Sequence, residues 1–552
     1  MPSLDPLQGG REQRESLQRR ADLSDGNEST TGTDDFCAVF NQPHPFNEEQ
    51  FGWSVAISQD GCRVAVGTSN DPGVVYLYDD AGTLMRTLHS PATSWLELPS
   101  SHYFGYSIAL NCDGSRLVVG SHGASRAYLF DTNTGDLLQT FYETDSSTTT
   151  DNDSFFGYSV SISCDGTIIA VGDPNGHTWQ AKYAGKVYVF SSKVGANGGL
   201  LKALYHSPNP TRNGNFGISV ALNAEGSRLL VGAWQDGQHD AGAAYLWEVD
   251  GEDAALLQTF RSPPHPAGSD YSPQWFGYDV DISCEGDKVL IGSRAGQSKI
   301  EEAGAVYLFS TLVNRTFSTN ETSQEPLHSI EAPNQVAGNQ FGASVSMNCA
   351  GDQILVGSYG DGSAYLFHIS PEETAEDDTK HEFPTLQQSW QVPVNRNYIG
   401  ASVGLSGNGM HAVIGAPRAH GDSPYLETAG AAYLACLYDT PLLAPINNSE
   451  RFMIYKNLSA QSAMMCSIPE IAYDKNAYLD DNNQMLAPAL LVVFLATMAY
   501  LHCHGAYWNE IIRQRIRRSR SSRETEYERA LESEVELTLL DNDDDDSSFV
   551  ED

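Results

Sequence analysis

Three arrangements of reactive side chains stand out in this chain of 552 residues. Gly400, Ser402 and Gly404 spell a literal Gly-x-Ser-x-Gly, the pattern of a nucleophile elbow. An elbow needs a strand before its serine and a helix after it. Here the serine falls inside a strand-like stretch, so the match reads as coincidence. His502, Cys503 and His504 are metal-ligand types, but three adjacent residues at the end of an apolar run read as incidental. Asp173, Asp236, Asp240 and Asp422 could support acid–base hydrolysis if folding brought two of them to about 5–10 Å. Sequence alone does not establish that convergence. No His-Glu-x-x-His and no phosphate loop occurs.

Binding chemistry has better material. Trp95, His177, Trp179, Trp234, Asp236, His239, Trp275, Arg294, Tyr359, Arg418 and Asp422 lie in segments of varied length between apolar runs. Exposed Trp, Tyr and Arg are the usual anchors of protein interfaces. Asn-x-Ser/Thr triplets at Asn27, Asn152, Asn314, Asn320, Asn447 and Asn457 are candidate glycosylation sites.

The elements that must position these residues repeat. Phe-Gly recurs at Phe51, Phe104, Phe156, Phe216, Phe276 and Phe341, with a weaker copy at Ile399-Gly400, at intervals of 52 to 65 residues. Each copy opens with an alternating stretch such as Tyr158, Val160 and Ile162, which is the period of a strand with one buried face. A hairpin turn follows, as at Asp60-Gly61 or Asp113-Gly114. The second strand ends in glycine, from Gly67 to Gly415, and the third carries a tyrosine, from Tyr76 to Tyr433. A looser fourth strand completes the unit. Four antiparallel strands repeated seven times predict an all-β, seven-bladed β-propeller over residues 35–440. The seventh copy lacks a fourth strand. Residues 37–45 resemble the fourth strands that precede other Phe-Gly pairs, so the amino-terminal strand should close the ring. The long segments after strands two and four then share one face, and the short turns share the other.

The run Phe51-Gly52, Gly67, Gly73-Val74-Val75-Tyr76 and its six relatives resemble the FG-GAP repeat family, best known from the seven-bladed propeller of integrin α subunits. The resemblance implies an extracellular recognition or adhesion module. Integrin-type blades often carry an Asp-x-Asp-x-Asp-Gly calcium loop between strands one and two. Here that turn offers one carboxylate or, at Ala350-Gly351, none, against the six to eight oxygens Ca²⁺ takes. No integrin-type calcium site and no other cofactor is expected. The 441–484 stalk is too short for integrin leg domains, and residues 509–523 lack the integrin juxtamembrane pattern.

Residues 485–508 carry no charge and are long enough to span a bilayer as a helix. Arg513, Arg515, Arg517, Arg518, Arg520 and Arg523 follow at once, which places the acidic tail in the cytoplasm and the propeller outside. The polar residues 1–34 read as disordered and show no secretory h-region. The net charge of −39 argues against a nucleic-acid partner, which requires a basic surface. Cys37 and Cys436 fall on adjacent strands of blade seven and could pair, with Cys466 as a competitor. Cys112, Cys164, Cys284 and Cys349 occupy one turn position in four different blades, and the expectation is that they stay unpaired. The functional reading is a single-pass membrane protein, not an enzyme, whose propeller binds an extracellular protein or glycan. The alternatives are a membrane-anchored propeller hydrolase using carboxylates at the mouth, and a structural scaffold.

Overall fold

A computed structural model describes residues 36–43, 50–91, 102–143, 154–192, 200–237, 240–249, 255–263, 274–296, 302–311, 325–369, 384–391, 398–419 and 429–437. The expected transmembrane helix, stalk, tail and amino-terminal segment lie outside these residues, as do all six candidate glycosylation asparagines. No helix among the described residues is long and apolar enough to cross a membrane.

Seven four-stranded antiparallel sheets form the blades of one propeller. In blade one the strands run Ser54–Ile57, Arg63–Gly67, Val74–Asp79 and Leu84–His89, from the central channel outwards. Burial follows that order. The second strand lies between two neighbouring blades, so both of its faces are covered and it reads as a continuous apolar run. The fourth strand, at the rim, alternates and is largely exposed. The Phe of every Phe-Gly is fully buried and packs on the third-strand Tyr of its own blade, as Phe156 does on Tyr188 at 5.2 Å. Each apolar cluster joins two adjacent blades, so the core is a ring of seven interfaces and not a central ball.

The repeat's two glycines meet across those interfaces. Gly105 N–H donates to the Gly120 carbonyl at 3.0 Å within blade two. A β-carbon added at Gly67 of blade one would overlap the carbonyl of Gly105. The same contact joins Gly415 of blade seven to Gly52 of blade one, which brings the ring full circle. The seam itself is Ala38–Phe40, paired antiparallel to Ala431–Cys436 with Val39 opposite Tyr433. Ser402, the centre of the Gly-x-Ser-x-Gly match, sits in the first strand of blade seven and accepts the Val55 N–H of blade one at 3.1 Å. It belongs to the interface between blades seven and one.

The four turn cysteines correct the expectation that they stay apart. Cys112 is bonded to Cys164 and Cys284 to Cys349, each pair with Cα atoms 4.6 Å apart. Equivalent positions on different blades are distant at the rim, but first strands converge on the channel. At its floor they touch. The backbone N–H of Gln59 donates to Cys112, Cys112 to Cys164, Cys164 to Ala224, Ala224 to Cys284, Cys284 to Cys349, and Cys349 to Gly407, while Asn408 donates back to Gln59. Seven inter-blade hydrogen bonds thus form a closed belt, and the cysteines are its neighbours. Cys37 and Cys436 also form a disulfide, with Cα atoms 5.8 Å apart, beside the outermost pairing of blade seven.

Candidate binding face

A central channel of about 420 Å³ runs from the cysteine belt to the long-loop face. Its mouth is set by the residue after each Phe-Gly: Trp53, Tyr106, Tyr158, Ile218, Tyr278, Ala343 and Ala401. The first three and the fifth are large aromatics, while blades six and seven contribute alanine. The opening is therefore narrowed on one side and open on the other. Tyr106 donates to Tyr158 at 2.9 Å between hydroxyls, and burial pushes the Tyr158 hydroxyl up to about 12 and Tyr106 well up as well. His122 stacks on Tyr103 at 4.9 Å and meets Tyr106 edge-on at 4.4 Å. Burial among these rings lowers its pKa to about 4, so the imidazole is neutral at physiological pH.

Arg294 occupies the open side. Its guanidinium lies 4.8 Å from the Tyr278 ring, 4.9 Å from Tyr359 and 5.5 Å from Trp275. It donates to the Tyr278 hydroxyl at 2.7 Å, to Gln340 Oε1 at 3.0 Å, and to the Tyr359 hydroxyl. Tyr359 meets Tyr398 at 5.6 Å, and Arg418 stacks on Tyr398 at 4.7 Å. Trp234 stands edge-on to Trp275 at 5.1 Å and to Tyr278 at 6.0 Å. The result is a continuous collar of rings and two guanidinium groups, drawn from blades four to seven. Rings hold a cation by their quadrupole, and the arginines keep N–H groups for planar anionic or polar partners.

Of the residues singled out from sequence, Trp234, Trp275, Arg294, Tyr359 and Arg418 are thus brought together. Trp179 is 84% exposed at the tip of its loop. His177 is internal, and its Nδ1 accepts the Tyr183 N–H at 3.0 Å. Asp236 is buried and saturated by Ser207, Thr211, Tyr245 and the Gly237 N–H. Trp95, His239 and Asp422 lie outside the described residues.

Of the four aspartates singled out, Asp173 and Asp236 are engaged within their own blades. Asp173 holds the Phe155 N–H at 2.8 Å and Ser154 in blade three, and burial raises its pKa to about 6. Asp236 ties down blade four. A different pair lines the channel. Asp279 and Asp281 stand where other blades carry Ser, Ala or Gly, two residues apart on one strand face. Asp279 accepts from Ser219 at 2.7 Å and from Val345 N–H at 2.8 Å; Asp281 accepts from Met347 N–H at 2.7 Å and Ile282 N–H at 2.8 Å. Ser344 and Ser346 accept the N–H groups of Val403 and Leu405 in the same way one blade on. The pair therefore staples blade five to blade six. Desolvation raises both carboxyls, Asp281 to about 7.

Sequence reasoning did not recognise two repeat positions that build the mouth, although it singled out Trp275 at the second of them. One is the residue after Phe-Gly, which looked like part of an ordinary alternating strand. The other is the residue before the Phe: Gln50, Tyr103, Asn215, Trp275, Gln340 and Tyr398 all adopt positive φ, between 49° and 55°. A left-handed non-glycine residue repeated at one register is a repeat feature, and four of these side chains reach the collar or its margin.

No family model matches this chain, and no curated protein matches it. Among solved structures, the chain is similar to the β-propeller domain of Cps50 (Swd1) from Myceliophteria thermophila, with a TM-score of 0.47, 11% identity, and 73% of this chain and 99% of that one covered. It is also similar to the WD40 repeats of RRP9, with a TM-score of 0.46, 12% identity, and 74% and 99% covered. A third similar structure is Kuenenia stuttgartiensis hydrazine synthase, with a TM-score of 0.43, 12% identity, and 70% and 96% covered.

Proposed function

We propose that this chain is a single-pass membrane protein whose propeller, on the non-cytoplasmic side, binds a protein or glycan through its long-loop face. The observation that carries the reading is the collar around Arg294. Its arginines and aromatic rings are ordered before any ligand arrives, which lowers the entropic cost of binding. The disulfides support an oxidising compartment. The uncharged run 485–508 with its arginine cluster supports the anchor and its orientation. The third strand of blade seven ends beside the Asn408-Gly409 turn, where Leu437 N–H donates to Met410. On this reading the long-loop face is the one available to a ligand. Asp173, Asp236, Asp279 and Asp281 are engaged in hydrogen bonds that hold the blades, so the reading assigns them no catalytic step.

Protease protection tests the topology. In sealed microsomes carrying the full chain, the propeller should resist added protease while the acidic tail is trimmed; a digested propeller overturns the orientation. Ligand recognition is tested by screening the detergent-solubilised full chain against glycan and protein arrays. Arg294→Ala combined with Arg418→Ala should weaken a selected protein or acidic-glycan ligand at least tenfold, and unchanged binding of such a ligand removes the collar from its site.

A further inference from the structure

Beside the collar, between blades three and four, lies a groove of about 510 Å³, within the roughly 300–1,000 Å³ usual for small-ligand sites. Its lining divides into two chemistries. Phe155, Tyr183 and Trp234 supply rings, and Phe155 is 38% exposed. Asn175, Asn213, Asn215 and Gln235 supply amides. Among the described residues, no Asp, Glu, Lys or Arg lines it.

The amides are unspent. Among the described residues, the side chains of Asn175, Asn213 and Gln235 make no hydrogen bond. Asn215 uses its Nδ2 on the Pro174 carbonyl at 3.3 Å, which leaves its Oδ1 available. The frame behind them is fixed. Asn213 N–H donates to Lys182, Asn215 N–H to Tyr183, and Tyr183 N–H to His177. The groove is therefore a set of oriented, unused donor–acceptor forks facing aromatic faces on a rigid support.

We infer that this groove binds a neutral saccharide. An amide offers a donor and an acceptor side by side, which matches a pair of vicinal hydroxyls. An aromatic face accepts the apolar C–H face of a pyranose ring. The lining disfavours anions, since a phosphate or carboxylate meets no cation among the described lining residues. Trp179 stands at the tip of the loop that supplies Asn175 and Tyr183, held by a turn in which Thr178 and Ala181 are hydrogen-bonded. Trp234 lines the groove and also touches Trp275 and Tyr278, so groove and collar form one continuous surface.

The inference rests on reading the long-loop face as a recognition surface, and the test separates the two. The detergent-solubilised full chain is applied to an array of neutral and acidic glycans and, separately, to a displayed peptide library. Three proteins are compared: wild type, the triple variant N175A/N213A/Q235A, and R294A/R418A. The three amides are partly or fully exposed, so the triple variant should unfold at the wild-type temperature, which is checked first. Neutral-glycan binding should fall at least tenfold in the triple variant, fall less in the arginine variant than in the triple variant, and change little between 50 and 500 mM salt, since no charge is neutralised. It should also shift tryptophan fluorescence. Neutral-glycan binding untouched by the triple variant overturns the groove while leaving the recognition face standing. A ligand found only among acidic glycans or peptides, lost in the arginine variant and at high salt, does the same. No ligand in either format overturns both readings.

Discussion

Arg294 is gripped from three sides, and the consequences of its loss can be stated without knowing the ligand. It makes contacts to three rings and donates to three side-chain oxygens. Arg294→Ala should cost about 1–3 kcal/mol in urea unfolding. Arg294→Lys should recover less than half of this, because an ammonium has neither the planar face nor the fork. Full recovery by lysine would show that charge alone is what the site uses. Titration gives a second prediction at this scale. Asp281 has a folded-state pKa of about 7, against an ordinary carboxylate near 4. Between those values the native state binds more protons than the unfolded chain, so this group lowers stability as pH rises from about 4 to about 7. His122 is held at about 4 against its usual 6.5, so the unfolded chain protonates first and stability falls as pH drops from about 6.5 to about 4. The two slopes oppose each other. Asp281→Asn should tilt the pH profile of the melting temperature upwards towards neutrality, and His122→Phe should tilt it the other way. Profiles parallel to wild type from pH 4 to 7.5 would remove the assignment.

At the scale of the element, the repeat is mostly an instruction for packing one blade on the next. Gly67 and Gly105 face each other with no room for a β-carbon. Gly67→Ala should therefore destabilise the propeller by about 1–3 kcal/mol, measured by chemical denaturation, although alanine is ordinarily the better strand residue. Such a close approach is why the spacing from Phe-Gly to the second glycine could be followed through seven copies. The turn cysteines were misjudged for the complementary reason. A repeat tells which residues are equivalent but not how far from the axis they sit, and Cys112 and Cys164 lie at the radius where first strands meet. The mouth was legible only in part. Trp234, Trp275 and Arg294 were visible because they lie in long connections, where side-chain choice is not dictated by packing. Tyr106, Tyr158 and Tyr278 were hidden inside the alternation of a regular strand, and the amides of Asn175 and Gln235 carry no pattern at all.

For the whole molecule, closure is the property on which the rest depends. The outer strand of blade seven is only Ala38–Phe40, yet it joins residues nearly 400 positions apart and is backed by the disulfide, whose sequence separation is 399. In the chain-entropy account a cross-link over such a loop contributes roughly 6 kcal/mol, against roughly 4 kcal/mol for the 52-residue loop of Cys112–Cys164. Cys436→Ser should thus lower the melting temperature more than Cys164→Ser, as read by differential scanning calorimetry of the non-reduced protein. The reverse order would show that local contacts at the channel floor outweigh closure.

That clasp also decides how the molecule carries force. Cys37 and Cys436 sit together beside the short-turn face, so the chain enters and leaves the ring at a covalently joined point. Tension applied between the segment before residue 37 and the segment after residue 436 passes from one sulfur to the other and bypasses the blades. In single-molecule stretching from the two chain ends, the oxidised protein should lengthen only by its outer segments. Added reductant should release a further contour of roughly 1,300–1,400 Å, the extended length of the 399-residue span. A pull arriving through the long-loop face instead has to cross the blades to reach that joined point, so the same ring is slack-proof along one axis and strained along the other.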